Sequence, residues 1–273
     1  MSIKRNCPYN PLSKQPLALV LAQVRFSPIL AIEGYIPTIQ DHLRKNGYPV
    51  YSIQQNFIFD VVPMGQTIIN QWRFESASHD TIVLIDKEQI LFQTSLYTRF
   101  EDFLGKFIDI LKYIFYFTEH DKFGIVVRIG LRYVDQIRKQ SEIDDIDSYL
   151  LPKFQSVGCS EYIDNRKQYS IVTVGSTKPA NDFEGQLVIR VFRGEKGVDL
   201  PSDLLSSAPA KRNTVNPDED IAIVDMDHYW IGSLGPDINI TEIIEERFYK
   251  LHDTIINGFY NSVISKEGLK KWK

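Results

Sequence analysis

Leu17-Ala18-Leu19-Val20-Leu21-Ala22-Gln23-Val24-Arg25-Phe26 begins as an unbroken apolar run and becomes an alternation of apolar and polar residues from Gln23 onward. A period of two is the signature of a β-strand with one covered and one uncovered face. Ser27-Pro28 ends the strand, and Ile32, Ile36, Ile39 and Leu43 then repeat at helical spacing up to Asn46-Gly47, predicting a helix over 32–45. Pro37 falls near its first turns, so the spacing allows a start later than Ile32. Strands follow over 56–62, 67–76, 81–86 and 89–96, joined by short separators that imply an antiparallel meander. Phe100, Phe103, Leu104, Phe107, Leu111, Ile114 and Phe115 then mark a long amphipathic helix.

The same order recurs in the second half of the chain. Gly130-Leu131-Arg132-Tyr133 lies in a strand over 125–137, and a short helix over 143–154 follows, which Pro152 interrupts. Strands over 169–174, 186–192 and 221–230 lead to a helix with Ile244, Phe248, Leu251, Ile255 and Phe259 on one stripe. Asn239 and Glu242 have the spacing of a capping box at its start. The polar stretch 194–220 reads as a long surface loop, with mobility expected, and it takes the place of a counterpart to the strand at 81–86.

An internal repeat of this kind fixes architecture before any motif is found. It divides the chain into a leader (1–16), a first α+β repeat (17–123), a second (124–264) and a C-terminal tail (265–273). The fold class is α+β: two similar halves, each strand, helix, antiparallel strands and long helix, forming a helix-on-sheet sandwich. The sheet is either continuous through both halves or divided between them.

Composition narrows the functions. Of 273 residues, 43% are hydrophobic, which supplies a sizeable core, and the net charge of −4 argues against a protein that merely coats nucleic acid. A local basic face remains compatible with that balance. Cys7 and Cys159 lack metal-like spacing and read as free thiols of a reducing cytoplasm. Residues 1–15 contain no signal-peptide core. The most apolar window, 100–117, is broken by Glu101, Asp102, Lys106, Asp109 and Lys112, so no membrane span is expected. The expected location is therefore cytoplasmic.

No phosphate loop, dinucleotide fingerprint, zinc-protease motif or nucleophile elbow occurs, and the five histidines are scattered. The expectation is a non-enzymatic protein without a cofactor. Its candidate working surface is drawn by the repeat. Arg25 matches Arg132, and Arg73 in Trp72-Arg73-Phe74 matches Arg190 in Ile189-Arg190-Val191. With their apolar neighbours facing the helices, these arginines, Arg128, and Gln23, Gln71 and Gln186 project from the opposite face. Guanidinium forks suit phosphate, nucleic acid or an acidic polypeptide. The competing reading is a solvated face neutralised by Glu75, Asp225 and Asp227. Asp225 and Asp227, two residues apart on one strand, also form a candidate divalent-metal or acid–base pair, provided a neighbouring strand supplies another carboxylate. Met226 and His228 would then face the other way.

The element order resembles a TATA-binding-protein-like arrangement, in which duplicated halves make a saddle. Asn10-Pro11-Leu12, Gln23-Val24-Arg25-Phe26, Leu131-Arg132-Tyr133-Val134 and Leu251-His252 with Phe259 and Trp272 together resemble an uncharacterised, sporadically distributed bacterial protein family. That resemblance brings no reaction and no assigned residues. Its sporadic distribution implies mobile genes, such as toxin–antitoxin or phage-defence cargo. A binding or regulatory module with a protein partner is thus the leading expectation. A nucleic-acid binder across the same face and a metal-dependent enzyme using Asp225 and Asp227 are the alternatives, and self-association stays open.

Overall fold

The computed structural model describes residues 12, 14–61, 64–155, 169–177, 184–194 and 197–273, with 56–61 and 64–69 described by their backbone. In chain order the strands are β1 (Leu17–Phe26), β2 (Val50–Val61), β3 (Met64–Glu75), β4 (Thr81–Ile85), β5 (Gln89–Thr94), β6 (Val126–Arg138), β7 (Tyr169–Ser176), β8 (Gln186–Arg193) and β9 (Ile221–Leu234). The helices are α1 (Ile32–Lys45), α2 (Phe100–Phe117), α3 (His120–Phe123), α4 (Ile240–Gly258) and α5 (Lys266–Lys271).

All nine strands join one antiparallel sheet in the order β2-β3-β4-β5-β1-β6-β9-β8-β7. The two halves are therefore fused, with the leading strand of each repeat, β1 and β6, paired at the centre. The stripes of α2 and α4 are buried as the spacing predicts. Phe107 of α2 meets Phe92 of β5 at 5.9 Å and Phe248 of α4 at 5.6 Å between ring centroids. Helices and sheet share one large apolar core that includes Val20, Ala22, Val24 and Phe26 of β1 and Ile129, Leu131 and Tyr133 of β6.

Several local expectations change. Helix α1 begins at Ile32 and carries Pro37 inside it, in its second turn. The helix expected over 143–154 is two short 3-10 turns, Ile146–Tyr149 and Pro152–Phe154, separated just before Pro152, which cannot continue a helical hydrogen-bond ladder. No capping box forms on α4: Asn239 makes no side-chain cap bond, and its carbonyl accepts from the Glu242 amide instead. The tail is packed: Trp272 is buried against Tyr149, and its carbonyl accepts from the Lys14 amide. Cys7, Cys159, Asn10 and Pro11 lie outside the described residues.

The repeat itself needs re-indexing. Outward from the centre, β5, β4, β3 and β2 on one side oppose β9, β8 and β7 on the other. Counted back from the long helix, β9, β8 and β7 of the second half stand in the places of β5, β4 and β3 of the first. The strand without a described counterpart is β2, not the one at 81–85. Arg73 and Arg190 sit on non-equivalent strands. Alternation alone cannot separate neighbouring strands, since each repeats with the same period.

The largest difference from expectation is the stretch 197–220. It runs across the sheet face opposite the helices and forms a second, smaller core. Leu200, Leu204 and Ala208 pack there on Leu19, Leu21, Val134, Ile221 and Ile223. This strap starts in the second repeat and reaches the β3–β4 turn of the first, where the Lys211 amide donates to the His79 carbonyl at 2.9 Å. Its presence explains the opening stretch of β1. Leu17–Ala22 is apolar on both faces because helices cover one and the strap the other, and alternation begins at Gln23, where the strap no longer covers the sheet.

Candidate functional site

The predicted arginines do share one sheet face, but they divide into a closed set and an open set. Arg132 is at the centre of the closed set. It donates to Asp225 through Nε at 2.7 Å and Nη2 at 2.9 Å, and to Asp203 of the strap through Nη1 at 2.6 Å. Asp225 is fully buried and also accepts from Arg190 Nη1 at 2.9 Å. Burial works against the Arg132 charge, yet these bonds outweigh it and raise its pKa above the ordinary arginine value. The Arg132 bond in turn holds the Asp203 carboxyl below the usual carboxylate range. Arg73 is closed as well: it bonds Glu75 at 2.6 Å and donates to the strap carbonyls of Ser207 and Ala208 at 2.8 and 3.3 Å. Gln93 also donates to Ser207, and Gln136 reaches the carbonyls of Asp199 and Asn213 at 2.8 and 3.1 Å.

The open set lies beyond the strap, over the C-terminal end of β1, the N-terminal end of β6 and the neighbouring ends of β5, β9 and β8. Arg128 lies flat across Gly130, its guanidinium 4.5 Å from the Tyr229 ring centroid. A methyl group at Gly130 would meet Arg128 Nη1 at 3.0 Å, so the missing side chain is what gives the guanidinium its bed. Arg128 donates to Gln23, Gln23 to Gln89 at 2.6 Å, and Gln89 to Asp86 at 2.5 Å, a chain of bonds crossing three strands. The carboxylate beside Arg128, Asp227, stands 3.8 Å from Nη2, beyond hydrogen-bond range. Burial lowers the Arg128 pKa, with Arg25 and Arg132 adding repulsion, and burial raises that of Asp227 against the pull of Arg128. Arg25, directly across from Arg128 in the β1–β6 pair, is half exposed, and among the described residues its ion-pair partner is Glu88 at 3.5 Å. Arg190 spends one nitrogen on Asp225 and is a third exposed.

The metal alternative finds little support. Asp225 is committed to two guanidiniums, which a cation would have to displace. Among the described residues no group of three or more histidine, cysteine, aspartate or glutamate side chains is placed to hold a metal ion. Met226 and His228 face the helices, as alternation requires, and both are fully buried. His252 is a packing residue: it stacks on Phe100 at 3.9 Å, and its Nδ1 bonds the Tyr133 hydroxyl at 2.8 Å.

Sequence reasoning missed the strap residues that close the face, Asp203, Ser207 and Ala208, and the aromatic and glycine that seat Arg128. One signal was present. A strand apolar on both faces needs two covers, and Val198, Leu200, Leu204, Leu205, Ala208 and Val215 are apolar residues of a largely polar loop.

Fold and site together define an α+β protein with helices on one side of an open antiparallel sheet and an arginine-bearing face, half covered by its own chain, on the other. Among the described residues no helix is long and apolar enough to cross a membrane. Compared with known proteins, the chain matches no family model and none of the curated proteins.

Proposed function

We propose that the protein is a binding module that captures an acidic partner on the uncovered half of its arginine face. The observation that carries this reading is Arg128: a guanidinium bedded on Gly130 and Tyr229, with its nearest carboxylate outside hydrogen-bond range and a second arginine opposite. Arginine charge that is partly desolvated and under-neutralised gains from a carboxylate or phosphate arriving there. A polypeptide partner is favoured over nucleic acid. Arg73 and Arg132 are already tied to the strap, and Asp227, Asp203 and Glu88 interrupt the positive charge that remains. An effector encoded beside the gene, the partner type suggested by the family resemblance, is the first polypeptide to try.

The test is binding of poly-L-glutamate and of single-stranded DNA to the whole protein at low salt. Poly-L-glutamate should bind, and Arg25→Ala combined with Arg128→Gln should abolish it. Preference for DNA with a steep salt dependence would instead favour the nucleic-acid reading. Binding of neither would end the proposal.

A further inference from the structure

The strap shows how this sheet face holds a polypeptide, and the repeat says where a second one would lie. The repeat matches Gln23-Val24-Arg25-Phe26 with Gly130-Leu131-Arg132-Tyr133, and rotation about a two-fold axis through the facing Gln23 and Gly130 of the β1–β6 pair makes this match. Arg25 faces Arg128 across that pair and Leu21 faces Arg132, so the rotation places Arg25 on Arg132 and Arg128 on Leu21. Arg132 is the residue that grips Asp203 of the strap, and Leu21 is part of the floor beneath it. Their rotated mates, Arg25 and Arg128, are the centre of the open half.

The reason only one seat is filled lies in the connections. The strap is the β8–β9 connection; its equivalent in the first half, between β4 and β5, is the short turn 86–88. The second seat therefore has a floor but no covering segment from this chain among the described residues. That floor has the makings of a peptide seat: Arg25 in the role of Arg132, Arg128 bedded on Tyr229, and Ile231, directly across from Arg128 and 67% exposed. The seated strap supplies a carboxylate to one arginine, backbone carbonyls to Arg73, Gln93 and Gln136, and leucines to the gaps between them.

We propose that the open half is a seat for an extended, acidic, leucine-bearing segment of a partner protein, laid over Arg25, Arg128, Tyr229 and Ile231 as the strap is laid over the other half. Because Arg128 stands where the strap's seat has Leu21, the incoming segment carries more acidic residues at that point than the strap does. This rests on the acidic-partner reading and adds the shape and apolar content of the ligand.

The experiment uses the whole protein and a labelled synthetic peptide with the sequence of residues 198–210, which contains two aspartates and no basic residue. Controls are the same peptide with serine for Leu200 and Leu204, and oligo-glutamate of equal length. The peptide should bind at least about tenfold more tightly than the serine version, as expected when buried leucines anchor an interface. Arg25→Ala and Ile231→Ser should each weaken it. Equal binding of the serine version or of oligo-glutamate overturns the seat while leaving acidic capture standing. Binding insensitive to Arg25→Ala and Ile231→Ser means the peptide has replaced the resident strap, and also overturns it. Failure of the peptide and of oligo-glutamate alike removes both proposals.

Discussion

Among the described residues one half of the arginine face is covered by the chain and the other is not, and the two halves use the same residue types to opposite ends. Under the strap, Arg132 and Arg73 are buried, and each has a carboxylate at hydrogen-bond distance. Outside it, Arg25 is solvated and Arg128 is held by an amide and an aromatic ring in preference to a carboxylate. An arginine on a sheet is thus a structural strut or a contact point depending on what lies over it. The covered half should govern stability, and the open half should govern binding.

Removing the shared carboxylate should have the largest effect. Asp225→Ala leaves Arg132 and Arg190 without their common partner in a buried site, and breaking such a network costs about 3–5 kcal/mol. Urea unfolding of the variant against the parent protein measures it, and a loss under ~1 kcal/mol would mean the network adds little. Next comes the strap's apolar anchor. Leu204→Ala empties a buried position and should cost about 2–4 kcal/mol. If the strap were only a surface loop, the same substitution would be almost silent.

The pH dependence should be smaller and two-sided. Burial lowers the pKa of His120, His228 and His252 to about 4 from an ordinary 6.5. Each folds neutral, so the stability it carries is complete above pH 6.5 and lost as pH falls toward 4. Asp135 behaves in the opposite sense: burial, helped by the Asp225 charge, raises its pKa to about 8 from 3.8. Its contribution is complete below pH 3.8 and lost as pH rises to about 8. Three groups rising against one falling place the maximum near pH 6.5, with stability declining to either side. Asp135→Asn should flatten the alkaline limb alone, and an unchanged limb would exclude the assignment.

The smallest stability effects belong to the open half. Arg25→Ala should change stability by less than about 0.5 kcal/mol, as surface substitutions away from buried networks usually do, and Gly130→Ala, at a buried strand position, by no more than about 1 kcal/mol. Both should weaken capture of poly-L-glutamate, Gly130→Ala because the new methyl group pushes Arg128 off its bed. A large stability loss from either would erase the distinction between the halves.

Much of this fold was legible in the chain. The apolar stripes of α1, α2 and α4 and the alternation around Arg25, Arg132 and Arg190 placed the core and the polar face on opposite sides of the sheet. The strap was not legible as a cover. Its polarity reads as a loop because few of its residues, Leu200, Pro201, Leu204, Ala208 and Pro209 among those described, are buried, while its bonds to the sheet run largely through its backbone carbonyls, which leave no mark in the side chains. The equivalence of strands was misread for a related reason: a triplet with an arginine in its middle looks the same on β3 as on β8.

The sequence by itself determined the α+β class, the two-fold repeat of elements and the sidedness of the arginines, because periodicities of two and of three to four residues are local properties. Only the tertiary structure decided that the halves share one sheet through β1 and β6. It alone decided that the strap closes Arg73 and Arg132 while Arg25 and Arg128 stay open. Those outcomes depend on contacts between residues as far apart as Arg73 and Ser207, and no local pattern encodes which distant segment comes to lie on a given strand.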